Sequence, residues 1–264
     1  MNHPVSRLTA LAIPVFFSLA GPCAGQASPR VVHVFVALAD NQHQGIVPVP
    51  PALGNGGDQQ RNLYWGARFG VKTFFKSSDE WQLLFSGRGP KGAILDRCVF
   101  KNRNEDVYLV ADAYQGSDIK SAVTDFLSAA AGISSENIRV KLNSVDVSIA
   151  AGGAADIVAY VGHDAFMDFQ ISPIAGTKGS KPRRTIILAC ASKAFFSPYI
   201  RQTGAEPLLW TTGLMAPEAY TLMAALTGWI ANEDNQAIRQ RAAQAYNKYQ
   251  KCGARAALRL FTTN

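Results

Sequence analysis

Residues 157–163 read Ile-Val-Ala-Tyr-Val-Gly-His, five apolar residues followed directly by glycine and histidine. A short apolar run rich in β-branched and aromatic residues is typical of a strand that is buried on both faces of a sheet. Strands of this kind belong mostly to parallel sheets. The same argument predicts four further buried strands, at 31–38, 107–111, 185–189 and 208–211.

Helical patterns alternate with these strands. In each of them apolar residues recur every three or four positions, which gives one face that packs on a sheet. This alternation predicts an α/β fold, a single three-layer domain in which helices cover both faces of a mostly parallel sheet. The predicted helices occupy 62–76, the segment from Ser117 as N-cap to Gly132, the segment opened by Pro217 and Glu218, and 234–250. Segments 81–85 and 98–100 are predicted to add a hairpin.

The composition is that of a packed globular chain. Of the 264 residues, 48% are apolar and 17% are charged, with 22 Gly and 13 Pro, which excludes disordered, collagen-like and coiled-coil proteins. Beyond the N-terminus, no stretch approaches the ~20 apolar residues that are needed to cross a bilayer. We therefore expect no membrane span.

The N-terminus is typical of an export signal. Arg7 supplies a positive charge, residues 8–20 form an apolar core, and residues 25–27 are small or polar enough for cleavage. We therefore expect residues 1–27 to be removed and the protein to be periplasmic or secreted. Lipidation of Cys23 is the less favoured alternative, because a proline precedes it.

The net charge of +7 raises the question of an acidic partner such as nucleic acid. The one tight basic cluster consists of Lys178, Lys181, Arg183 and Arg184, in a Gly/Ser/Pro segment without aromatic residues. This pattern favours a solvated basic loop, and we expect no nucleic-acid partner.

Three cysteines remain once residues 1–27 are removed, namely Cys98, Cys190 and Cys252. Two of them can pair in an oxidising compartment, and an odd number always leaves one thiol over. The count does not say which thiol that is.

Polar residues follow three of the predicted strands. His163 and Asp164 follow one strand, Cys190 and Ser192 follow the next, and Asn41 and His43 follow the first. Because the carboxyl ends of parallel strands meet at one edge of a sheet, we expect these side chains to share a crevice. An imidazole that takes the proton of a thiol leaves a thiolate, which is a nucleophile. The sequence predicts a catalytic dyad of Cys190 and His163, with the other four residues as pocket candidates.

The segments around the predicted dyad resemble a known family. Residues 157–163, together with 186–192 (Ile-Ile-Leu-Ala-Cys-Ala-Ser), are similar to the two catalytic blocks of the caspase-like cysteine peptidases, especially the CHAT-type and legumain-like domains. The resemblance covers about 107–231 of a domain expected at 28–264. It implies a caspase-like fold and a peptide or protein substrate. It also implies that Cys190 is the nucleophile and His163 the general base that later protonates the leaving amine.

One departure from the family leaves a second function open. The family usually has glycine after the catalytic histidine, and its N–H helps to hold the oxyanion, whereas Asp164 brings a carboxylate that opposes negative charge. The alternative is a non-catalytic caspase-like binding or scaffold domain. A metal site of His163, Asp164 and Asp168 and a dinucleotide fingerprint at 87–92, stiffened by Pro90, are less favoured. We expect neither a metal nor a cofactor.

Overall fold

The computed structural model describes residues 28–176 and 182–263. The predicted export signal at 1–27 and two lysines of the predicted basic loop, Lys178 and Lys181, lie outside the described residues. Within the described ranges, no helix is both long enough and apolar enough to span a membrane.

The described chain alternates strands with helices. The strands are β1 (Arg30–Ala37), β2 (Trp81–Gly87), β3 (Ile94–Asn102), β4 (Val107–Tyr114), β5 (Ser135–Leu142), β6 (Val145–Gly152), β7 (Ile157–Val161), β8 (Arg184–Leu188), β9 (Glu206–Thr211) and β10 (Phe261–Thr262). The helices are α1 (Val71–Lys76), α2 (Ile119–Ala130), α3 (Ser192–Thr203), α4 (Ala219–Ile230), α5 (Asn235–Gln250) and α6 (Ala254–Leu260).

Eight of these strands form one mixed sheet, in the order β10-β9-β8-β7-β1-β4-β3-β2. The five central strands, from β9 to β4, run parallel. Strands β3 and β2 at one edge and β10 at the other are antiparallel to their neighbours. The parallel strands are the five that the sequence predicts as buried, so the mostly parallel α/β fold is confirmed.

Helices cover both faces of the sheet, and β1 shows how its sequence serves both. Val32, Val34 and Val36 pack into one core with residues of α1, α4 and α5. Val31 and Phe35 pack into the other core with residues of α2 and α3. Burial of an apolar side chain of this size contributes roughly 1.5–3 kcal/mol. A strand that is apolar on both faces is therefore stable only between two helical layers.

The predicted helix over 62–76 is wrong for most of its length, since only α1 at its end is helical. Asn62 is fully buried, and its side chain accepts a hydrogen bond from Ala39 N at 3.0 Å and donates one to Ala39 O at 2.8 Å. An asparagine that bonds the backbone in this way competes with helix formation. At Gly66 a Cβ would lie 2.1 Å from a backbone oxygen, so the chain folds back more tightly than a helix allows.

The start of α2 also differs from the prediction, because Ser117 does not cap it. Ser117 lies inside a 3-10 turn, Gly116–Asp118, and no side chain caps the first turn of the helix. The predicted end is confirmed. Gly132 follows the helix with a φ of 75°, a left-handed conformation that glycine adopts readily.

The predicted hairpin at 81–85 and 98–100 is confirmed, as β2 and β3 pair and extend the main sheet. A second hairpin, β5–β6, is absent from the sequence prediction. Its turn is Asn143-Ser144, with φ values of 49° and 68°. Two positive φ values are the requirement of the tight turns that join antiparallel strands.

The C-terminal part extends beyond what the sequence predicts. Helices α4 and α5 are confirmed, and Asp234 caps α5 by accepting a hydrogen bond from Ala237 N at 2.8 Å. After α5 the chain forms α6 and then β10, which pairs with β9. These two short elements were not predicted.

Arg183 corrects the interpretation of the basic cluster as a solvated loop. Its side chain is buried and donates to Ala130 O at 2.8 Å and to Gly153 O at 3.2 Å. These are the carbonyls where α2 and the β5–β6 hairpin end. Arg183 is therefore a structural residue that joins two elements.

Candidate active site

The sheet register brings His163 and Cys190 to the same edge. Strands β7 and β8 are parallel neighbours in which Val161 pairs with Leu188. His163 and Cys190 each follow that pair by two residues. Adjacent strands lie about 4.8 Å apart, so the two residues leave the sheet side by side at its carboxyl edge.

Cys190 stands at the turn from β8 into α3. The next residue, Ala191, has the left-handed conformation, with φ 47° and ψ 32°. A non-glycine residue pays roughly 1–2 kcal/mol for this conformation. Such strain persists only where the surrounding structure fixes it, and it is concentrated at functional sites.

Ser192 and Thr211 fix that turn from below. The amide of Ser192 donates to Thr211 Oγ1 at 3.1 Å, and the amide of Thr211 donates to Ser192 Oγ at 2.9 Å. Ser192 Oγ also donates to Ile187 O at 3.0 Å, and the Ala191 amide donates to Gly213 O at 2.8 Å. All these groups belong to β8, β9 or the residues beside them. The position of Cys190 is thus set by the sheet itself.

The Cys190 thiol is half-buried and bonds to the backbone of Met215. Met215 N donates to the sulfur at 3.4 Å, and the thiol faces Met215 O at 3.6 Å. Cys98 is different, because it is buried in the core and burial raises its pKa to about 12.

His163 follows Gly162, which is required by the close approach of β1. A Cβ on Gly162 would lie 2.9 Å from Ala37 O, and its φ is 155°. The His163 carbonyl accepts a hydrogen bond from Tyr160 Oη at 2.8 Å. These contacts fix the backbone that presents the imidazole.

The His163 ring is oriented by Asp168. Nε2 donates to Asp168 Oδ2 at 2.8 Å, and the same oxygen accepts a hydrogen bond from Gly45 N at 3.0 Å. A carboxylate on Nε2 selects the tautomer in which Nδ1 carries no proton, so Nδ1 is the basic nitrogen. From the sequence, Asp168 is a candidate only for a metal ligand. In the structure it orients the histidine.

His163 and Cys190 line the same cleft, whose volume is about 390 Å³. Besides the residues that follow β7 and β8, the lining comes from four segments that are distant in the sequence: the loop after β1, the turn before α1, the loop between β9 and α4, and the end of α5. The lining includes Ile46, Val47, Val49, Leu63, Tyr64, Met167, Leu214, Met215, Tyr246 and Gln250. None of these ten was singled out from the sequence, since nothing local in their segments marks them.

Asp164 is turned away from the cleft. Its side chain is fully buried, and Oδ1 accepts a hydrogen bond from Phe166 N at 3.0 Å, which caps the 3-10 turn Ala165–Met167. Burial, together with the nearby charge of Asp168, raises the pKa of Asp164 to about 7. The carboxyl is therefore largely neutral below that pH.

The Cys190 amide is a candidate donor to an oxyanion. Within the described residues Cys190 N donates no hydrogen bond, and Cys190 lines the cleft. Preorganised N–H groups of this kind stabilise the negative charge of a tetrahedral intermediate. Asp164 is fully buried and does not line the cleft, so its amide is not exposed there.

The other pocket candidates do not line the cleft. Asn41 binds the loop after β1, donating to Val49 O at 2.8 Å and accepting from Val49 N at 3.1 Å. His43 bonds to Asp40 at 2.9 Å and lines a separate cavity. Ser192 is fully buried beneath Cys190. Asn41 and Ser192 therefore act on the site through the segments that they hold.

The geometry does not favour the two cofactor alternatives. Residues 87–92 connect β2 to β3, and the helix that a dinucleotide fingerprint needs does not follow them. Among the described residues, the one cluster with metal-ligand spacing is His33, Asp112 and Glu136. Arg97 bonds to both carboxylates of this cluster at 2.6–2.9 Å, so both are already engaged with a cation.

Comparisons of this chain with protein-family models, with curated proteins and with solved structures found no match. The site is therefore interpreted from its own geometry.

Proposed function

We propose that this protein is a cysteine peptidase in which Cys190 is the nucleophile, His163 the general base and Asp168 the residue that orients His163. The observation that carries the proposal is that the Cys190 thiol and the His163 imidazole line one cleft, while Asp168 occupies Nε2 and leaves Nδ1 free. Nucleophile, base and orienting carboxylate are the three parts that acyl transfer requires.

The reaction begins when a peptide carbonyl enters the cleft beside Cys190. The thiol proton moves to Nδ1 of His163, and the sulfur attacks the carbonyl carbon. The amide of Cys190 receives the oxyanion. His163 then returns its proton to the leaving amine as the C–N bond breaks, and water hydrolyses the acyl-enzyme.

Asp164 is compatible with this chemistry. A carboxylate beside the histidine would oppose the oxyanion, but this carboxyl caps a 3-10 turn and its pKa is raised to about 7 by burial. Below that pH it carries little charge, and its direction keeps it out of the cleft. These points favour a peptidase over a non-catalytic scaffold, and they support the resemblance to caspase-like peptidases.

The test is alkylation of the folded protein with iodoacetamide between pH 5 and 9, followed by peptide mapping. Mapping is needed because Cys252 is also exposed. We expect Cys190 to react below pH 7 faster than Cys252, and Cys98 to stay unlabelled because it is buried with a pKa of about 12. His163→Ala should slow the alkylation of Cys190 at least tenfold and leave the alkylation rate of Cys252 unchanged.

Asp168→Asn is the matched variant for the orienting role. It keeps the shape of the side chain but places an amide on Nε2, which favours the wrong tautomer. We expect peptide hydrolysis to fall by about 10⁴, the loss that follows when the orienting carboxylate of a Ser-His-Asp triad is replaced by its amide. The proposal is contradicted if Cys190 reacts no faster than Cys252, or if the Cys190→Ala variant still hydrolyses peptides. The non-catalytic scaffold would then be the favoured function.

The N-terminal pattern adds location to the proposal. Residues 1–27 have the charge, apolar core and cleavage site of an export signal, and we propose that the peptidase acts in the periplasm or outside the cell. Fractionation of expressing cells and N-terminal sequencing test this point. The expected mature protein begins at Ser28.

A further inference from the structure

We infer that the cleft beside Cys190 takes an uncharged apolar side chain of leucine or methionine size, and that this side chain lies next to the bond that is cleaved. The cleavage part rests on the proposed function, whereas the choice of side chain rests on the cleft alone. The inference follows from the chemistry of the lining, from its rim, and from the engagement of the nearest carboxylates.

In the part of the chain that the structure describes, the lining contains no carboxylate, guanidinium or ammonium group. Its sixteen residues are apolar or uncharged, apart from the imidazole of His163. A charged side chain that enters such a site loses its water and finds no opposite charge, which is unfavourable. The cleft therefore selects against aspartate, glutamate, lysine and arginine.

The rim of the cleft is apolar and exposed. Val47 is 82% exposed, Leu214 is 73% exposed and Met167 is 46% exposed, and all three line the cleft. They are half of the six large hydrophobic residues that are exposed in the described chain. Exposed apolar residues are ordinary when scattered, but a cluster around a cleft marks a binding site for apolar groups.

The carboxylates nearest to the cleft are already engaged. Glu218 accepts hydrogen bonds from Tyr220 Oη at 2.8 Å and from Gln250 Nε2 at 3.0 Å. Gln250 itself lines the cleft, so its amide stands between Glu218 and the substrate. Asp168 is held by His163 and Gly45. Neither carboxylate is available to bind a lysine or arginine of the substrate.

The polar groups that remain are neutral. Burial raises the pKa of Tyr64, so its hydroxyl stays protonated. Met167 and Met215 bring flexible thioethers, which adapt to aliphatic side chains of different branching. A cleft of about 390 Å³ holds one such side chain together with the peptide backbone around it.

The binding test uses the Cys190→Ala variant, which lacks the nucleophile and therefore binds a peptide without cleaving it. Blocked hexapeptides of alanine with one variable residue, Leu, Met, Asp or Arg, are titrated by calorimetry. We expect the Leu and Met peptides to bind at least tenfold more tightly than the Asp and Arg peptides. Equal or tighter binding of a charged peptide, or no binding of the Leu and Met peptides at millimolar concentration, would overturn the inference.

The same peptides incubated with the wild-type protein separate the inference from the proposed function. Cleavage directly after the Leu or Met residue, located by mass spectrometry, supports both. Tight binding of these peptides without any cleavage supports the inferred preference for an apolar side chain and contradicts the proposed peptidase activity. Preferred cleavage after Asp or Arg keeps the peptidase and overturns the choice of side chain.

A rim variant provides the specific control. Leu214→Asp places a carboxylate at the cleft on a residue that is 73% exposed, so folding is preserved. We expect this variant to bind the Leu peptide at least fivefold more weakly and the Arg peptide more tightly than the protein with Leu214. Val145→Asp changes an equally apolar residue, 64% exposed, in the β5–β6 hairpin away from the cleft. It should leave both affinities unchanged.

Discussion

At the scale of single residues, Asp164 shows how a carboxyl beside the proposed catalytic histidine is held out of the cleft. Its oxygen Oδ1 bonds to Phe166 N, and its buried Oδ2 has no hydrogen-bond partner in the described residues. An ionised carboxylate in this position lacks the solvation that it has in water. The folded protein therefore favours the protonated form of Asp164.

This preference predicts a pH-dependent effect of Asp164→Asn. The folded pKa is about 7 against 3.8 for the ordinary group, so the unfolded chain loses this proton first. Between pH 4 and 7 the folded state binds more protons, and the contribution of Asp164 to stability falls as the pH rises. At pH 8 Asn should be more stable than Asp, by an amount on the order of 2–4 kcal/mol above any difference at pH 4.

Urea unfolding of both proteins at pH 4 and pH 8 measures this difference. Asn keeps the oxygen that caps the 3-10 turn, so the comparison changes the charge and little else. A difference in unfolding free energy that is the same at both pH values would show that folding does not raise the pKa of Asp164.

The positions of His163 and Cys190 could be predicted from the sequence because both residues follow the ends of predicted parallel strands. His163 and Cys190 follow parallel strands by two residues, and that offset is visible in the sequence. Asn41 and His43 also follow a strand, but their side chains bond to nearby backbone and to Asp40. Local hydrogen bonds of this kind cannot be distinguished from pocket residues without the coordinates.

At the scale of elements, the turn from β8 to α3 determines how precisely Cys190 is placed. Ala191 is strained, and the paired hydrogen bonds of Ser192 and Thr211 offset that strain. Both residues are buried. Removing one hydroxyl therefore leaves the backbone amide that donates to it without an acceptor.

Ser192→Ala is therefore expected to lower the unfolding free energy by about 1–3 kcal/mol, since Thr211 N loses its acceptor. It should also slow alkylation of Cys190, because the turn is no longer fixed. Ser197→Ala in the same helix, whose hydroxyl bonds only to Lys193 O, is the control and should change stability by less than about 0.5 kcal/mol. If the two variants unfold alike and react alike, the turn is not held by Ser192.

Elements differ in how far the sequence predicts them. The five parallel strands have continuous apolar runs, and burial on both faces requires such runs. The prediction of a helix over 62–76 is wrong because the same apolar spacing also fits a compact turn, which Asn62 holds by its hydrogen bonds to Ala39. The β5–β6 hairpin does alternate, with Ile138, Val140 and Leu142, but its Asn-Ser turn is a weaker signal than Asn-Gly.

At the scale of the whole molecule, the sheet separates the candidate site from the main buried ion network. The cleft contains Leu63 and Tyr246, which belong to the core of α1, α4 and α5. The network contains His33, on the side of β1 that faces α2, together with Arg97 and Asp112. The residues of the cleft meet only in the folded chain, which is why the proposed preference for an apolar side chain is argued from the structure and not from the sequence.

This separation predicts a variant that changes stability without changing chemistry. Burial raises the pKa of Asp112, but the hydrogen bonds from Arg97 and His33 outweigh it and the pKa is lowered. Arg97→Met removes the larger of these bonds and leaves a buried carboxylate without its cation. We expect a loss of about 3–5 kcal/mol near neutral pH. The loss should shrink as the pH falls and the carboxyl is protonated, because its folded pKa is then raised above its ordinary value.

Lys91→Met is the matched control, since its ion pair with Asp125 is exposed on the lysine side and is worth at most about 1 kcal/mol. Urea unfolding measures both losses, and alkylation of Cys190 in the folded protein measures the site. We expect the alkylation rate to be the same in Arg97→Met and wild type at low urea. A change in that rate would mean that the network on the α2 face also positions Cys190, and the two halves of the molecule would then be coupled through the sheet.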